Sequence, residues 1–300
     1  MTAAVAQTIV EKLEETADRV TVALDHLIPR AHGPESRLMS AMRYAALGGG
    51  KRLRPFFTLE TGRMFGVDER ALLRAACAIE CVHTYSLIHD DLPCMDDDDL
   101  RHGRPTVHKA YDEATAVLAG DGLLTLAFEI LADVETHADP SIRCALVVRV
   151  AQASGAQGMV GGQMIDMTAR ELGDDLAAVT RMQRLKTGAL ISCAVEAGLI
   201  LGRASDDARA SMHAYAHDLG LAYQIADDLI DVEGDVASAG KAVGKDANLG
   251  KATFVTLLGV EGARERVRLL AAQCKAHLVG FGERAASLRD VVDHALIRRT

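Results

Sequence analysis

The chain has 300 residues, with 33 Lys and Arg against 42 Asp and Glu, a formal charge of −9. Hydrophobic residues at 49% supply a sizeable core, and charged residues at 25% are too few for a disordered chain; six scattered cysteines exclude a disulfide scaffold. A net acidic protein repels nucleic acid and anionic membrane at long range, so any anionic substrate needs local cations or metal ions.

In chain order, apolar residues at helical spacing predict a first helix over residues 5–27 and a break at Pro29 to Pro34. A second helix runs from Glu35 to the stop at Gly48-Gly49-Gly50, a third over 53–65, and a long one over 68–92 that ends before Pro93. An acidic and then basic loop follows from Asp96 to Pro105. Further helices are expected at 112–135, 140–167, 174–202, 205–233, 251–259 and 260–278. No alternating strand pattern, linker or repeat stands out. The expectation is one all-α domain over residues 1–300, a single large helical bundle around a central apolar cavity. Met1 to Lys12 has no basic flank and meets Glu11 early, so it does not read as a signal peptide. Ala189 to Leu201, taken as the longest apolar stretch, falls short of the roughly 20 residues a membrane span needs. A cytoplasmic protein with reduced thiols and no stable membrane association is expected.

Two aspartate clusters carry the chemistry. His89-Asp90-Asp91-Leu92-Pro93-Cys94-Met95-Asp96 continues through Asp99, and Gln224-Ile225-Ala226-Asp227-Asp228-Leu229-Ile230-Asp231 repeats the theme inside an apolar helix. Asp227 and Asp231, four apart, share a helical face. Asp90 and Asp96 would be about 240° apart on an unbroken helix. Pro93 must end that helix, so the chain can turn and bring Asp96 back beside Asp90. Carboxylates this close repel one another unless a hard divalent ion such as Mg²⁺ sits between them. An EF-hand fails, because Arg101 falls where glycine is needed and Val107 where glutamate is needed. A di-iron bundle needs two ExxH motifs, and only Glu80-Cys81-Val82-His83 is found.

Basic groups answer the acidic ones. Gly48-Gly49-Gly50-Lys51-Arg52-Leu53-Arg54-Pro55 is a glycine hinge feeding a helix start, with Lys51 and Arg54 expected on one face. Arg101-His102-Gly103-Arg104, Lys186-Thr187-Gly188, and Lys241, Lys245 and Lys251 in a glycine-rich loop over 234–251 complete the set. Together they describe a site for two polyanions, one held through metal and one held directly.

With GGKRLRP, HTYSLIHDD, KTGAL and LGKAT in order around the two aspartate motifs, the chain resembles the trans-isoprenyl diphosphate synthases, most closely the bacterial farnesyl diphosphate synthases. The resemblance implies a Mg²⁺-dependent prenyltransferase that joins isopentenyl diphosphate to dimethylallyl or geranyl diphosphate, giving farnesyl diphosphate and pyrophosphate. It implies metal binding by Asp90, Asp91, Asp96, Asp227, Asp228 and Asp231, with about three Mg²⁺ ions per site and Mn²⁺ as a substitute. Arg101, Lys186 and Lys241 would hold the allylic diphosphate; Lys51, Arg54, His83 and the residue at His102 would hold isopentenyl diphosphate. Lys186, Thr187 and Gln224 would face the developing allylic cation, and Lys251 would come from a closing loop. His102 departs from the family, which usually has Arg there; neutral His is a weaker phosphate partner. Tyr85 lies about 7.5 Å below Asp90 along a helix and, with Ser86, would limit chain length. A homodimer is implied, with no nucleic-acid partner. The alternatives are a geranylgeranyl or geranyl diphosphate synthase and, more distantly, a terpene cyclase or a non-catalytic subunit.

Overall fold

A computed structural model describes residues 8–30, 32–168, 175–233 and 253–297. Lys241, Lys245 and Lys251 lie outside the described residues. The chain folds as α-helices α1 (Ile9–Leu27), α2 (Ser36–Ala46), α3 (Leu53–Met64), α4 (Glu69–Asp90), α5 (Val107–Ala110), α6 (Glu113–Ala132), α7 (Pro140–Ser154), α8 (Met159–Met167), α9 (Leu176–Gln183), α10 (Ala189–Leu201), α11 (Asp206–Glu233), α12 (Phe254–His277) and α13 (Ala286–Val292). The expected all-α architecture is what forms.

Local chemistry starts these helices where the sequence suggests. Thr8 and Glu11 form a capping box on α1, and the Asp68 carboxylate accepts from the Arg70 and Ala71 N–H groups at the start of α4. The Asp139 side chain caps α7 ahead of Pro140 in its first turn. Helices α4 and α10 form the centre. α4 packs against α3 and α6, and α10 packs against α3, α7 and α11; Phe56, Leu59, Leu72, Ile79, Leu123, Leu190 and Leu199 are fully buried where they meet. Each large aliphatic side chain buried there contributes roughly 1.5–3 kcal/mol of transfer free energy. α4 and α6, rather than α10, prove long and apolar enough to cross a membrane by length and hydropathy. Within the protein, 72% and 50% of their most apolar windows are buried.

Four expectations about elements change. The stretch expected as one helix over 140–167 breaks at Gly155–Gly158 into α7 and α8. The helix expected over 174–202 is interrupted by a π-turn at Arg184–Gly188. The two helices expected to meet near residue 259 are one element, α12, kinked at Gly259, whose φ of +71° no helix interior adopts. The Asp96–Pro105 loop contains a two-strand hairpin, β1 (Leu100–Arg101) with β2 (Arg104–Pro105). Its turn residues His102 and Gly103 both have positive φ, 52° and 75°, the geometry that follows strand twist most easily.

Candidate active site

α4 runs 22 residues and ends at Asp90, with Asp91 as its C-cap and Pro93 two residues beyond. The chain then folds back as expected. The Asp96 N–H donates to the Asp90 carbonyl at 2.8 Å, and the Asp98 N–H to the Asp91 carbonyl at 3.2 Å. Asp90 therefore sits beside Asp96. Burial, then repulsion from Asp96 and Asp91, raises the Asp90 carboxyl to about 6, against the pull of Lys186 and Arg101. A half-buried carboxylate held so far above its ordinary range is poised for a cation.

Asp91 sits differently from its neighbour. Its carboxylate is buried and paired with Arg101, whose Nε donates to Oδ1 at 3.1 Å; Arg101 Nη2 also lies 3.6 Å from Asp98. Of the two adjacent aspartates, Asp90 faces the other carboxylates and Asp91 anchors the hairpin. Arg101 thus reaches the site braced from behind.

Across the site, the π-turn presents Lys186 and Thr187. One extra residue in a helical turn widens it, a feature common at functional sites. Lys186 Nζ is 2.6 Å from Asp166 of α8. Burial alone would depress the Lys186 ammonium; Asp166, with Asp90 and Asp96, overrides this and raises it. The approach requires Gly162, because a Cβ there would lie 2.1 Å from the Lys186 backbone nitrogen. Thr187 Oγ1 donates to Gln224 Oε1 at 3.2 Å, and Gln224 Nε2 donates to Asp228 Oδ1 at 2.9 Å. The other Asp228 oxygen accepts the Phe254 N–H at 2.9 Å, at the start of α12. Asp227 and Asp231 are half-buried one turn apart on α11. The second motif thus divides like the first: Asp228 ties elements together, and Asp227 and Asp231 share the other face.

The basic corner differs from expectation in one respect. Gly49 and Gly50 take positive φ of +99° and +118°, and Arg52 is left-handed at φ 47°, so α3 begins only at Leu53. Lys51 precedes the helix and is exposed, and it cannot share a helical face with Arg54. Arg54 is packed near Glu80, Tyr223 and Asp227; burial lowers its pKa, and those three oppose the loss of charge. His83 is pushed well down by burial and then by Arg54, Arg101, Arg52 and His102. The His102 ring lies against Gly50, its Nε2 3.5 Å from where a Cβ would stand. Its pKa is lowered by burial and by Arg101, Arg52 and Lys51, with Glu80 opposing.

A cavity of about 320 Å³ runs between these groups, lined by Arg54, His83, Tyr85, Ser86, Asp90, Lys186 and Thr187 and walled on one side by Met159, Met164 and Met167 of α8. A larger open groove of about 530 Å³ between α7 and α10 holds none of the expected site residues. We assign the chemistry to the smaller cavity because the converging charges lie there.

Several residues of this site escape sequence reasoning. Glu80 of the ExxH motif pairs with buried Arg52 at 2.6 Å, both side chains no more than 5% exposed, so it serves a guanidinium and no iron. Asp166 holds Lys186, and the Gln163 amide is buried beside it with no hydrogen-bond partner among the described residues. An aspartate inside the apolar text Gly162-Gln163-Met164-Ile165-Asp166-Met167 is the signal that could have found that pair. The donor set suits a hard divalent ion: acidic oxygens on two walls, one strained by burial. Among the described residues no three His, Cys, Asp or Glu side chains converge as a ready cage. The remaining ligands then fall to oxygens of a bound polyanion and water, as Mg²⁺ prefers.

Residues 35–278 match the family model described as polyprenyl synthetase. The chain is 43% identical over 295 residues to the farnesyl diphosphate synthase of Escherichia coli strain K12, covering 96% of this chain and 98% of that protein. It is 41% identical over 269 residues to the chloroplastic geranylgeranyl pyrophosphate synthase 9 of Arabidopsis thaliana, covering 88% of this chain and 74% of that one. Among solved structures, an FPP/GFPP synthase from Zymomonas mobilis superposes with a TM-score of 0.89 at 50% identity, covering 96% and 98% of the two chains.

Proposed function

This chain belongs to the polyprenyl synthetase family, and from that membership we infer a prenyltransferase that joins isopentenyl diphosphate to dimethylallyl or geranyl diphosphate, releasing pyrophosphate and ending at farnesyl diphosphate. The observation that carries the reading is one largely apolar cavity lined by Asp90 and Lys186 on one side and by Arg54 and His83 of the basic corner on the other, with Asp227 of α11 near enough to Arg54 to act on its charge. Two diphosphates need two kinds of holder, and both are there.

Asp90 and Asp96 hold Mg²⁺ from the α4 side and Asp227 with Asp231 from the α11 side, about three ions in all, with Mn²⁺ able to substitute. When bound, those ions neutralise the diphosphate leaving group. Asp91 and Asp228 act as supports whose oxygens are already taken by Arg101 and by Gln224 and the Phe254 N–H. Lys186 and Arg101, each backed by a carboxylate, hold the allylic diphosphate, joined by Lys241. Lys51, Arg54, His83 and His102 hold isopentenyl diphosphate, with Lys251 as a further substrate-binding residue. As the allylic C–O bond breaks, the Thr187 hydroxyl, the Lys186 carbonyl and Gln224 face the cation with oxygen dipoles. The apolar wall keeps water from it. The alkene of isopentenyl diphosphate attacks, and the released pyrophosphate takes the proton.

Tyr85, 6% exposed in the cavity wall, limits the growing tail to fifteen carbons, with Ser86 beside it. The chain works as a cytoplasmic homodimer of single all-α domains over residues 1–300. The test is a split of Michaelis constants. Arg54→Ala and Lys51→Ala raise KM for isopentenyl diphosphate at least tenfold and leave KM for geranyl diphosphate within about twofold. Equal rises for both substrates would remove the two-site assignment.

A further inference from the structure

We propose that His89 sets product length by bracing Tyr85 against α6. The Tyr85 ring meets the His89 ring edge-on, with centroids 5.7 Å apart and planes at 76°. His89 Nε2 lies 3.0 Å from the Val117 carbonyl, so that nitrogen carries the proton and donates to α6. One turn along, Gly120 leaves a notch for the ring: a Cβ there would lie 2.1 Å from His89 Nε2 and 2.5 Å from Cδ2. His89 also lines the cavity beside Tyr85 and Ser86. The floor that stops the tail is therefore a three-part brace, with Tyr85 as the plug, His89 as the strut and α6 as the wall.

The brace rests on the reading of Tyr85 as the plug, and it makes two predictions of opposite sign. Removing the strut leaves Tyr85 free to swing aside. Filling the notch removes the room the His89 ring occupies against α6 and pushes it toward the cavity it borders. Pocket depth changed by one or a few methylenes shifts discrimination by roughly 10–200-fold.

The experiment supplies dimethylallyl diphosphate, labelled isopentenyl diphosphate and Mg²⁺ to the full-length protein and to Tyr85→Ala, His89→Ala, His89→Gln and Gly120→Ala, then resolves products by chain length. Product ratios are read, so a lower total turnover does not enter. Tyr85→Ala and His89→Ala raise the ratio of longer products to the fifteen-carbon product about tenfold. Gly120→Ala shifts the ratio toward ten carbons. His89→Gln, whose amide can still donate to the Val117 carbonyl, keeps mainly the fifteen-carbon product; lengthening equal to that of His89→Ala would overturn the role given to that bond. Gly120→Ala carries the test alone if His89→Ala does not fold. Lengthening in Tyr85→Ala with a parental pattern in His89→Ala or Gly120→Ala overturns the brace and leaves the Tyr85 plug standing. A parental pattern in Tyr85→Ala overturns both.

Discussion

At the scale of single residues, the two aspartate motifs show how one residue type divides its labour by environment. Asp90 and Asp91 are adjacent, yet one is held protonatable near pH 6 and the other is locked to a guanidinium. Because the folded-state pKa of Asp90 is raised from 3.8, the metal-free folded protein binds more protons than the unfolded chain between about pH 4 and 6. Stability is therefore lost as pH rises through that window, by up to about 3 kcal/mol. Asp90→Asn removes this cost. The variant should melt several degrees higher than the parent in chelator at pH 7.5, the gap should close near pH 4, and catalysis should be lost at every pH. An equal or lower Tm at pH 7.5 would show that Asp90 is not strained. His102 titrates in the opposite functional sense. Its pKa is lowered by burial and by the neighbouring cations, so it is neutral at pH 7, and protonation at a pH below the ordinary histidine range adds a cation to the isopentenyl diphosphate corner. The dissociation constant for isopentenyl diphosphate without allylic substrate should fall as pH drops below the ordinary histidine range, by up to about tenfold once His102 is protonated, the worth of one charge-assisted hydrogen bond. His102→Arg should bind tightly and without that slope; a slope shared by parent and variant would place the titrating group elsewhere.

At the scale of elements, the site depends on approaches that only small residues allow. α8 meets the π-turn because Gly162 has no Cβ to strike the Lys186 backbone nitrogen at 2.1 Å. Gly162→Ala forces those backbones apart, an overpacking cost of roughly 1–3 kcal/mol or more. It should lower Tm by roughly 5–10 °C and kcat by more than tenfold, with KM for isopentenyl diphosphate unchanged because Lys51 and Arg54 lie on another wall. A rise in that KM alone would contradict the placement. What was legible in the sequence follows the same division. The helix starts near 68 and 140 and the stop ahead of Pro93 were legible because apolar spacing and proline act locally, although α4 ends at Asp90 and not at the expected 92. The return of Asp96 to Asp90 followed from one proline. The break at 155–158 is local, with Gly155 and Gly158 set against the carbonyls of the preceding turn. The π-turn at 184–188 and the left-handed Arg52 were not legible, since what meets them, Gly162 and Glu80, is distant in sequence. The pairs Lys186–Asp166 and Arg52–Glu80 were hidden for the same reason: separations of 20 and 28 residues carry no periodic signal.

At the scale of the whole molecule, a net charge of −9 and two anionic substrates are compatible because the charge is sorted in space. Cations gather at the start of α3, in the β1–β2 hairpin and at the π-turn; carboxylates gather at the end of α4 and along α11, where divalent ions change their sign of action. The helical frame supplies the apolar lining between them. The account's central claim is that this arrangement ionises an allylic diphosphate and joins the cation to isopentenyl diphosphate. The most direct measurement gives the purified protein dimethylallyl diphosphate, labelled isopentenyl diphosphate and Mg²⁺, and follows pyrophosphate and labelled chain length together. The account predicts one pyrophosphate released for each five-carbon unit added, with label accumulating in a fifteen-carbon diphosphate and both signals lost in chelator. Pyrophosphate without elongation, or neither signal in the presence of Mg²⁺, would contradict it.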